Sequence, residues 1–300
     1  MKYKVRLKKS LVLYLFLLPM IIYLAVFNYA PLYGLQIAFR NFNAMQGIIG
    51  SDWVGFAHFE RFFSSPLFWN LLGNTLTLSL YQLVVSFPIP IFLAFVLHYT
   101  PFQKLKRVSQ TATYAPYFIS TVVLVGMIMV FFDPLTGIGT MLLKNLGMIN
   151  PQVTMDPGAF RHLYVWTGVW QSTGWASVIY VASLSGVSPE LHEAAIVDGA
   201  SKIQRIIHVD FPVIAPTAII LLILNSGNIM NLGFEKVFLM QTAPNLTVSE
   251  IISTYVYKLG LQGQQYSYAS AIGLFNNVIN FLILLAVNQA ARRMGQTSLW

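Results

Sequence analysis

Groups able to run acid–base, nucleophilic or metal chemistry are scarce in this chain: 300 residues carry ten acidic side chains, five histidines and no cysteine. His58, His98, His162, His192 and His208 show no H-x-x-x-H pairing, and Ile196 stands where a second histidine would follow His192-Glu193. Without thiolates or paired histidines, spacing offers no zinc site, no disulfide framework and no cysteine nucleophile. The expectation is a chain with no catalytic residue, no metal and no cofactor of its own. No G-x-x-x-x-G-K-[ST] occurs, so no P-loop is available to cradle nucleotide phosphates, and Gly137-Ile138-Gly139 lacks the third glycine of a dinucleotide turn.

Amides and aromatic faces point to a different chemistry. Asn225, Asn228 and Asn231 recur at helical spacing within an apolar stretch, Asn276 and Asn277 sit in another, and Trp170, Trp175 and Tyr180 in a third. Amides donate and accept toward hydroxyls, and flat rings offer apolar faces to pyranoses. These eight residues are expected to line a substrate pathway. Hydrogen bonding between helices and anchoring at a membrane interface are the competing roles.

The elements that position them follow from composition. Hydrophobic residues make up 56% of the chain and charged residues 9%, which suits lipid better than water. Six charge-free runs (10–39, 62–103, 108–132, 162–189, 211–234 and 259–291) each exceed the roughly 20 residues of helix needed to cross a bilayer. The sequence therefore predicts an all-α membrane protein with about six transmembrane helices, near residues 11–30, 74–98, 108–132, 163–186, 213–234 and 270–291, in one permease domain covering 1–300. Prolines at 19, 88, 90, 116 and 216 fall within these spans and predict kinks. The first apolar run is too long for a signal-peptide core and no A-x-A site follows it, so it reads as an uncleaved span.

Orientation follows from Lys and Arg, which short cytoplasmic loops retain. Six spans put both termini on one face with the loops around Lys104–Arg107 and Lys202–Arg205; that face holds 12 of the 18 basic residues. The other six are matched by nearby acids, as Lys236 is by Glu235. Both termini are expected in the cytoplasm and the protein in the cell membrane. A positive-inside distribution explains the net charge of +8 without nucleic acid as a partner.

One polar segment stands out, Ser188 to Pro216. Ser188 is a candidate N-cap with Pro189 at the first helical position and Glu190 in the first turn. Gly199 supplies a left-handed stop, Ser201 a second cap, and Pro212 an end to the second short helix. The result is an elbow whose first arm carries Glu190, Glu193 and Asp198 beside Leu191, Ala194, Ala195 and Val197. It reads either as a solvated loop or as a preformed grip for a partner.

The run Glu193-Ala194-Ala195-x-x-Asp198-Gly199-Ala200, followed by Ile207 and Pro212, resembles the EAA loop of ABC importer permeases; Phe211 replaces the usual leucine. Trp53-Val54-Gly55-Phe56 with Phe59 and Phe62, and Asn74-Thr75-Leu76, resemble sugar permeases of the maltose-permease class. Tyr114-Ala115-Pro116, Pro134-x-Thr136-Gly137, Thr254-Tyr255-Val256-Tyr257 and the tail Ser298-Leu299-Trp300 resemble its oligosaccharide and polysaccharide branch. The resemblance implies a type I importer transmembrane domain with cytoplasmic EAA coupling helices in a loop at 188–212. It also implies contacts to the ATPase through Glu190, Glu193, Ala194, Ala195, Asp198, Gly199, Ala200 and Pro212. The implied partners are a second homologous permease, two ATP-binding subunits holding ATP and magnesium, an extracytoplasmic solute-binding protein, membrane lipid and a carbohydrate. A permease for another solute and a secondary transporter remain as alternatives. The latter is disfavoured by the lack of Asp, Glu, Lys or Arg in the predicted spans.

Overall fold

The computed structural model describes residues 2–147, 152–293, 295 and 297–299. Trp300, the last residue of the tail motif, lies outside the described residues, as do the side chains of residues 2–10 and 12, which include the basic residues of the N-terminal segment. Contacts gather the chain into two units, Met1–Ser65 with Val256–Phe275, and Pro66–Tyr255 with Asn276–Trp300.

In the first unit, α1 (Lys2–Leu24) continues through a π turn at Ala25–Tyr29 and a 3-10 stretch at Ala30–Phe39. Side chains from Leu13 to Tyr33 are exposed. A helix this apolar and this bare has lipid as its natural cover. A small hairpin, β1 (Arg40–Asn43) on β2 (Ser51–Trp53), departs from the all-α expectation. It closes because Gly55, at φ +61, lets Val54 and Gly55 N–H groups donate back to the Phe39 carbonyl at 2.9 and 3.2 Å. Phe39 then stacks on Trp53 at 5.6 Å and meets Phe56 edge-on at 5.5 Å, which accounts for the aromatic spacing of the Trp53–Phe59 motif.

In the second unit, α2 (Phe68–Ser86) and α3 (Pro88–Tyr99) form one apolar run interrupted at Phe87, where Pro88 and Pro90 withhold backbone donors. Asn74 explains the second resemblance motif: its Nδ2 donates to the Thr247 and Glu250 carbonyls at 2.9 and 3.1 Å, while its Oδ1 accepts from Arg161 at 3.1 Å. Thr75 Oγ1 accepts from Ile252 N–H at 3.0 Å. These bonds tie α2 to the 246–252 segment.

The third predicted span is not one helix. It divides into α4 (Gln103–Tyr114) with a 3-10 turn at Ala115–Phe118, and α5 (Thr121–Phe131), bent by 100°. Pro116 removes a helical donor and Ser120 restarts the chain as an N-cap, accepting from Val123 N–H at 3.3 Å. The fourth span is α6 (Pro157–Leu184), capped by Asp156. It packs along α2, α3 and α4, and it contributes to two buried clusters: Leu78, Val125, Phe160, Val165, Val169 and Val237 in one, and Ala94, Tyr180, Leu184, Ile214 and Ala218 in the other.

After α7 (Pro189–Val197) comes α8 (Lys202–Arg205), which runs through a π turn at Ile206–Asp210 into α9 (Phe211–Ser226). Pro212 therefore does not stop the second arm. The π turn widens the helix where Pro212 has no N–H to give, and the chain stays helical. The apolar helix thus runs from Lys202 to Ser226, earlier at both ends than the expected 213–234, and it includes a fully buried acid, Asp210. Lys236, in α10 (Phe234–Met240), is buried and donates to the Tyr164 carbonyl at 2.8 Å instead of standing at the surface beside Glu235. Asn245 is also fully buried and holds the Thr154 and Met240 carbonyls.

The last helix, α11 (Tyr266–Arg293), covers the sixth predicted span. Among the described residues, four helices are long and apolar enough to cross a membrane, or five with the bent α4–α5 pair counted as one span. Polar positions such as Gln171, Ser172 and Thr173 set α6 apart from the more apolar four.

Candidate functional site: an exposed elbow and a cavity beside Trp175

The elbow is defined by short-range bonds. Ser188 Oγ accepts from Glu190 N–H at 3.3 Å, with Pro189 where a helix first needs no donor. At the far end Gly199, at φ +78, gives its N–H to Ile196, and Ala200 N–H reaches back to the Ala195 carbonyl at 2.8 Å. These are the paired bonds of a Schellman stop. Ser201 opens α8 with a capping box: Gln204 N–H donates to its Oγ at 3.4 Å and Ser201 N–H to Gln204 Oε1 at 2.7 Å.

No residue of α7 is buried. Glu190, Glu193, Ala194, Asp198 and Gly199 are exposed, Ala195 and Ala200 half-exposed, and Pro212 is exposed at the start of α9. Apolar side chains stand uncovered beside them, including Val197 at 87% and Ile203 at 69%. Carboxylates interleaved with bare aliphatic groups make a surface suited to a protein partner.

The elbow is held by residues that sequence spacing did not single out. His192 Nε2 lies 3.0 Å from Asp210 Oδ1, and Tyr99 Oη donates to Asp210 Oδ2 at 2.6 Å. Tyr99 ends α3, His192 is in α7 and Asp210 precedes α9, so three separated stretches converge on one carboxylate. Nothing in the local pattern of any one stretch signals this; a charged residue just ahead of an apolar run is the only trace.

The eight expected pathway residues divide. Trp175, Tyr180 and Asn225 meet at one cavity of ≈ 290 Å³, together with Ser86, Phe87 and Leu221. Trp175 stacks on Tyr117 at 4.9 Å and 10° between planes, which fixes its ring. Tyr180 is otherwise buried. Trp170 lines a separate apolar groove of ≈ 950 Å³ with Met127, Phe131, Thr136 and Thr167.

Asn228 and Asn231 do not share a helix face with Asn225, because α9 ends at Ser226 and the chain turns at Gly227. Asn231 Oδ1 instead accepts from Asn276 Nδ2 at 2.7 Å, and Asn277 is exposed. Asn280, absent from the sequence expectation, accepts from Met230 N–H at 2.8 Å and so closes the turn after α9. Asn276 and Asn280 thus tie α11 to the turn after α9, a structural role close to the competing one for intramembrane amides.

Several known proteins resemble the whole chain. Protein LplB of Bacillus subtilis (strain 168) is 38% identical over 98% of this chain and 92% of its own. The polygalacturonan/rhamnogalacturonan transport system permease protein YteP of the same organism is 37% identical over 96% and 90%. A chain from the crystal structure of a bacterial alginate ABC transporter, in complex with an alginate pentasaccharide-bound periplasmic protein, superposes with a TM-score of 0.90 at 36% identity, covering 98% of both chains. Residues 86–296 match the family described as binding-protein-dependent transport system inner membrane component, and the chain belongs to that family.

Proposed function

We propose that this chain is the permease subunit of an ATP-driven carbohydrate importer, forming half of the translocation pathway for an oligosaccharide or polysaccharide fragment. The observation that carries this reading is the uncovered α7 elbow, rigid through its own caps and bearing exposed carboxylates and aliphatic groups where the family places its EAA loop. Relatives whose names specify polygalacturonan and alginate transport support the carbohydrate. In this reading six spans cross the membrane: the five apolar runs and α6, whose polar face is covered by its neighbours. Both termini and the 188–212 loop lie in the cytoplasm.

The sequence of events is physical. An external binding protein delivers glycan to the outer loops while two partner ATPases, holding ATP and magnesium, close on one another. Glu190, Glu193, Ala194, Ala195, Asp198, Gly199, Ala200 and Pro212 form or position the surface those subunits grip. A short capped helix carries displacement with little loss to flexing, and ATP supplies the differential affinity that shifts the permease between states. On the pathway, Asn225 offers an amide to sugar hydroxyls and Trp175, pre-stacked on Tyr117, an apolar face. Tyr180 completes the lining of this cavity and Trp170 lines the separate groove, while Asn228, Asn231, Asn276 and Asn277 belong to neither lining.

The test is copurification and uptake. The chain should pull down a second permease and ATP-binding subunits from its own membranes. Glu193→Ala should retain assembly but lower glycan uptake per ATP hydrolysed by about tenfold, because one carboxylate contact of about 1.4 kcal/mol corresponds to that factor. Uptake by the chain alone in vesicles, without any ATPase, would overturn the reading in favour of a secondary transporter.

A further inference from the structure

The Asp210 cluster carries more than the elbow's geometry requires. His98 joins it: His98, His192 and Asp210 each present one ligand atom, and these atoms lie within 4.8 Å of one another. His192 Nε2 and Asp210 Oδ1 are only 3.0 Å apart, yet neither completes a hydrogen bond, and both are buried atoms. Asp210 itself is fully buried. With Nε2 unprotonated both atoms carry lone pairs, and with His98 they make three potential donors near one another. Around a tetrahedral zinc with bonds of about 2.0–2.1 Å, neighbouring donors stand roughly 3.3 Å apart.

The supports of such a site are also present. Tyr99 Oη donates to the other carboxylate oxygen, Oδ2, at 2.6 Å and fixes the orientation of the group, as outer partners of metal ligands do. The Tyr99 ring meets His98 edge-on at 5.3 Å and His192 at 6.5 Å, which limits the rotation of both imidazoles.

We infer that His98, His192 and Asp210 form a binding site for one divalent transition-metal ion of the zinc class, fastening α3, α7 and α9 together at the base of the elbow. Two imidazoles and one carboxylate suit zinc and its neighbours, whereas magnesium and calcium call for more oxygen ligands. Three protein ligands leave a fourth position for water. Histidine spacing along the chain argued against zinc; the fold supplies the ligands from residues 98, 192 and 210 instead. Metal binding is a property of this chain alone. Its consequence, a stiffened coupling elbow, rests on the importer reading.

The experiment uses the tag-free, full-length chain in detergent, stripped with a chelator and titrated with zinc chloride by calorimetry. One zinc per chain should bind, and cobalt(II) in its place should give the intense visible absorption of a four-coordinate ion. His98→Gln, which removes a ligand without breaking a hydrogen bond among the described residues, should weaken zinc binding at least 100-fold. Tyr99→Phe should weaken it about tenfold, in the range for outer partners. Absence of stoichiometric zinc from the wild-type chain, equal binding of magnesium, or undiminished zinc binding in the His98→Gln, His192→Gln double variant would each overturn the site. Copurification and uptake by metal-free protein would still stand or fall by themselves, so the two readings separate.

Discussion

The elbow at 188–210 and the cavity beside Trp175 are built on opposite plans. In the elbow every capping bond spans five residues or fewer, from Ser188 with Glu190 to Ser201 with Gln204, and the longer-range contacts of Asp210 to His192 and Tyr99 anchor its base. The cavity draws on residues 86 to 225 and depends on helices meeting at close range. A locally bonded element keeps its shape while it protrudes from the fold. An element made of distant parts changes shape when those parts move. A transporter needs both kinds: a stiff handle and a deformable pathway. Substitutions in the two regions should therefore differ in size and in what they disturb.

The largest effect should come from Gly174, where α6 crosses α4. A methyl group there would fall on the Thr113 carbonyl, and the backbone of Tyr114 is also within 2.9 Å. No side chain can swing aside, so Gly174→Val must push the helices apart beside Trp175. We expect a loss of about 3 kcal/mol or more, as for severe overpacking. Most of the protein should be lost from the monodisperse peak in size-exclusion chromatography, and any surviving fraction should not transport. Wild-type yield and melting in Gly174→Val would break the contrast at its stronger end.

Next in size is Lys236, a second non-local feature. Its ammonium lies 4.8 Å from the centre of the Tyr164 ring and burial lowers its pKa to about 7. The unfolded chain holds that proton up to the ordinary lysine range, while the folded chain releases it near 7. Between those values the unfolded state binds more protons, so stability rises with pH from about 7 to about 10 and is flat below. The Tyr164 carbonyl and ring both favour the charged form, which limits the gain to on the order of 2–3 kcal/mol. Thermal unfolding in detergent across this range should show the slope, and Lys236→Met should abolish it. A slope unchanged in that variant would assign the effect elsewhere.

Gly199 is the strongest point of the local plan. Its φ of +78 costs a side-chain-bearing residue about 1–2 kcal/mol. Gly199→Val should leave melting of the spans nearly unchanged, because nothing packs where the new side chain would start. It should instead loosen the exit of α7 and lower uptake per ATP hydrolysed, and Gly199→Asn, which tolerates the left-handed region, should recover most of it.

The same contrast explains what the sequence allowed to be read. The helix at 189–197, its stop at Gly199 and its successor at Ser201 were legible because each depends on neighbours whose chemistry is visible in the string. The apolar runs were legible for a similar reason, since hydropathy is local. The break at Ser120 and the early end of α9 were not, because Pro116 is compatible with either a kink or a full turn away, and the turn after Gly227 is held by Asn280, a residue some fifty positions on that accepts the Met230 N–H. The convergence of Tyr99, His192 and Asp210 was invisible altogether: more than 110 residues separate its ends, and no periodicity links them.

Ser201 offers the finest measure of how local the elbow is. Its hydroxyl accepts from Gln204 N–H and Gln204 Oε1 accepts from Ser201 N–H, so each side chain satisfies a donor that the first turn of α8 leaves open. Ser201→Ala should cost about 1 kcal/mol, the usual loss at an N-cap. If the energy is local, hydrogen exchange should quicken at residues 202–206 by roughly fivefold, as that free energy implies, while amides in α6 are unaffected. The reciprocal bond makes the two residues non-additive. Ser201→Ala with Gln204→Ala should therefore cost less than the two single losses together. Strict additivity would mean that the two side chains act separately, and faster exchange in α6 would mean that the handle and the packed spans are one cooperative unit.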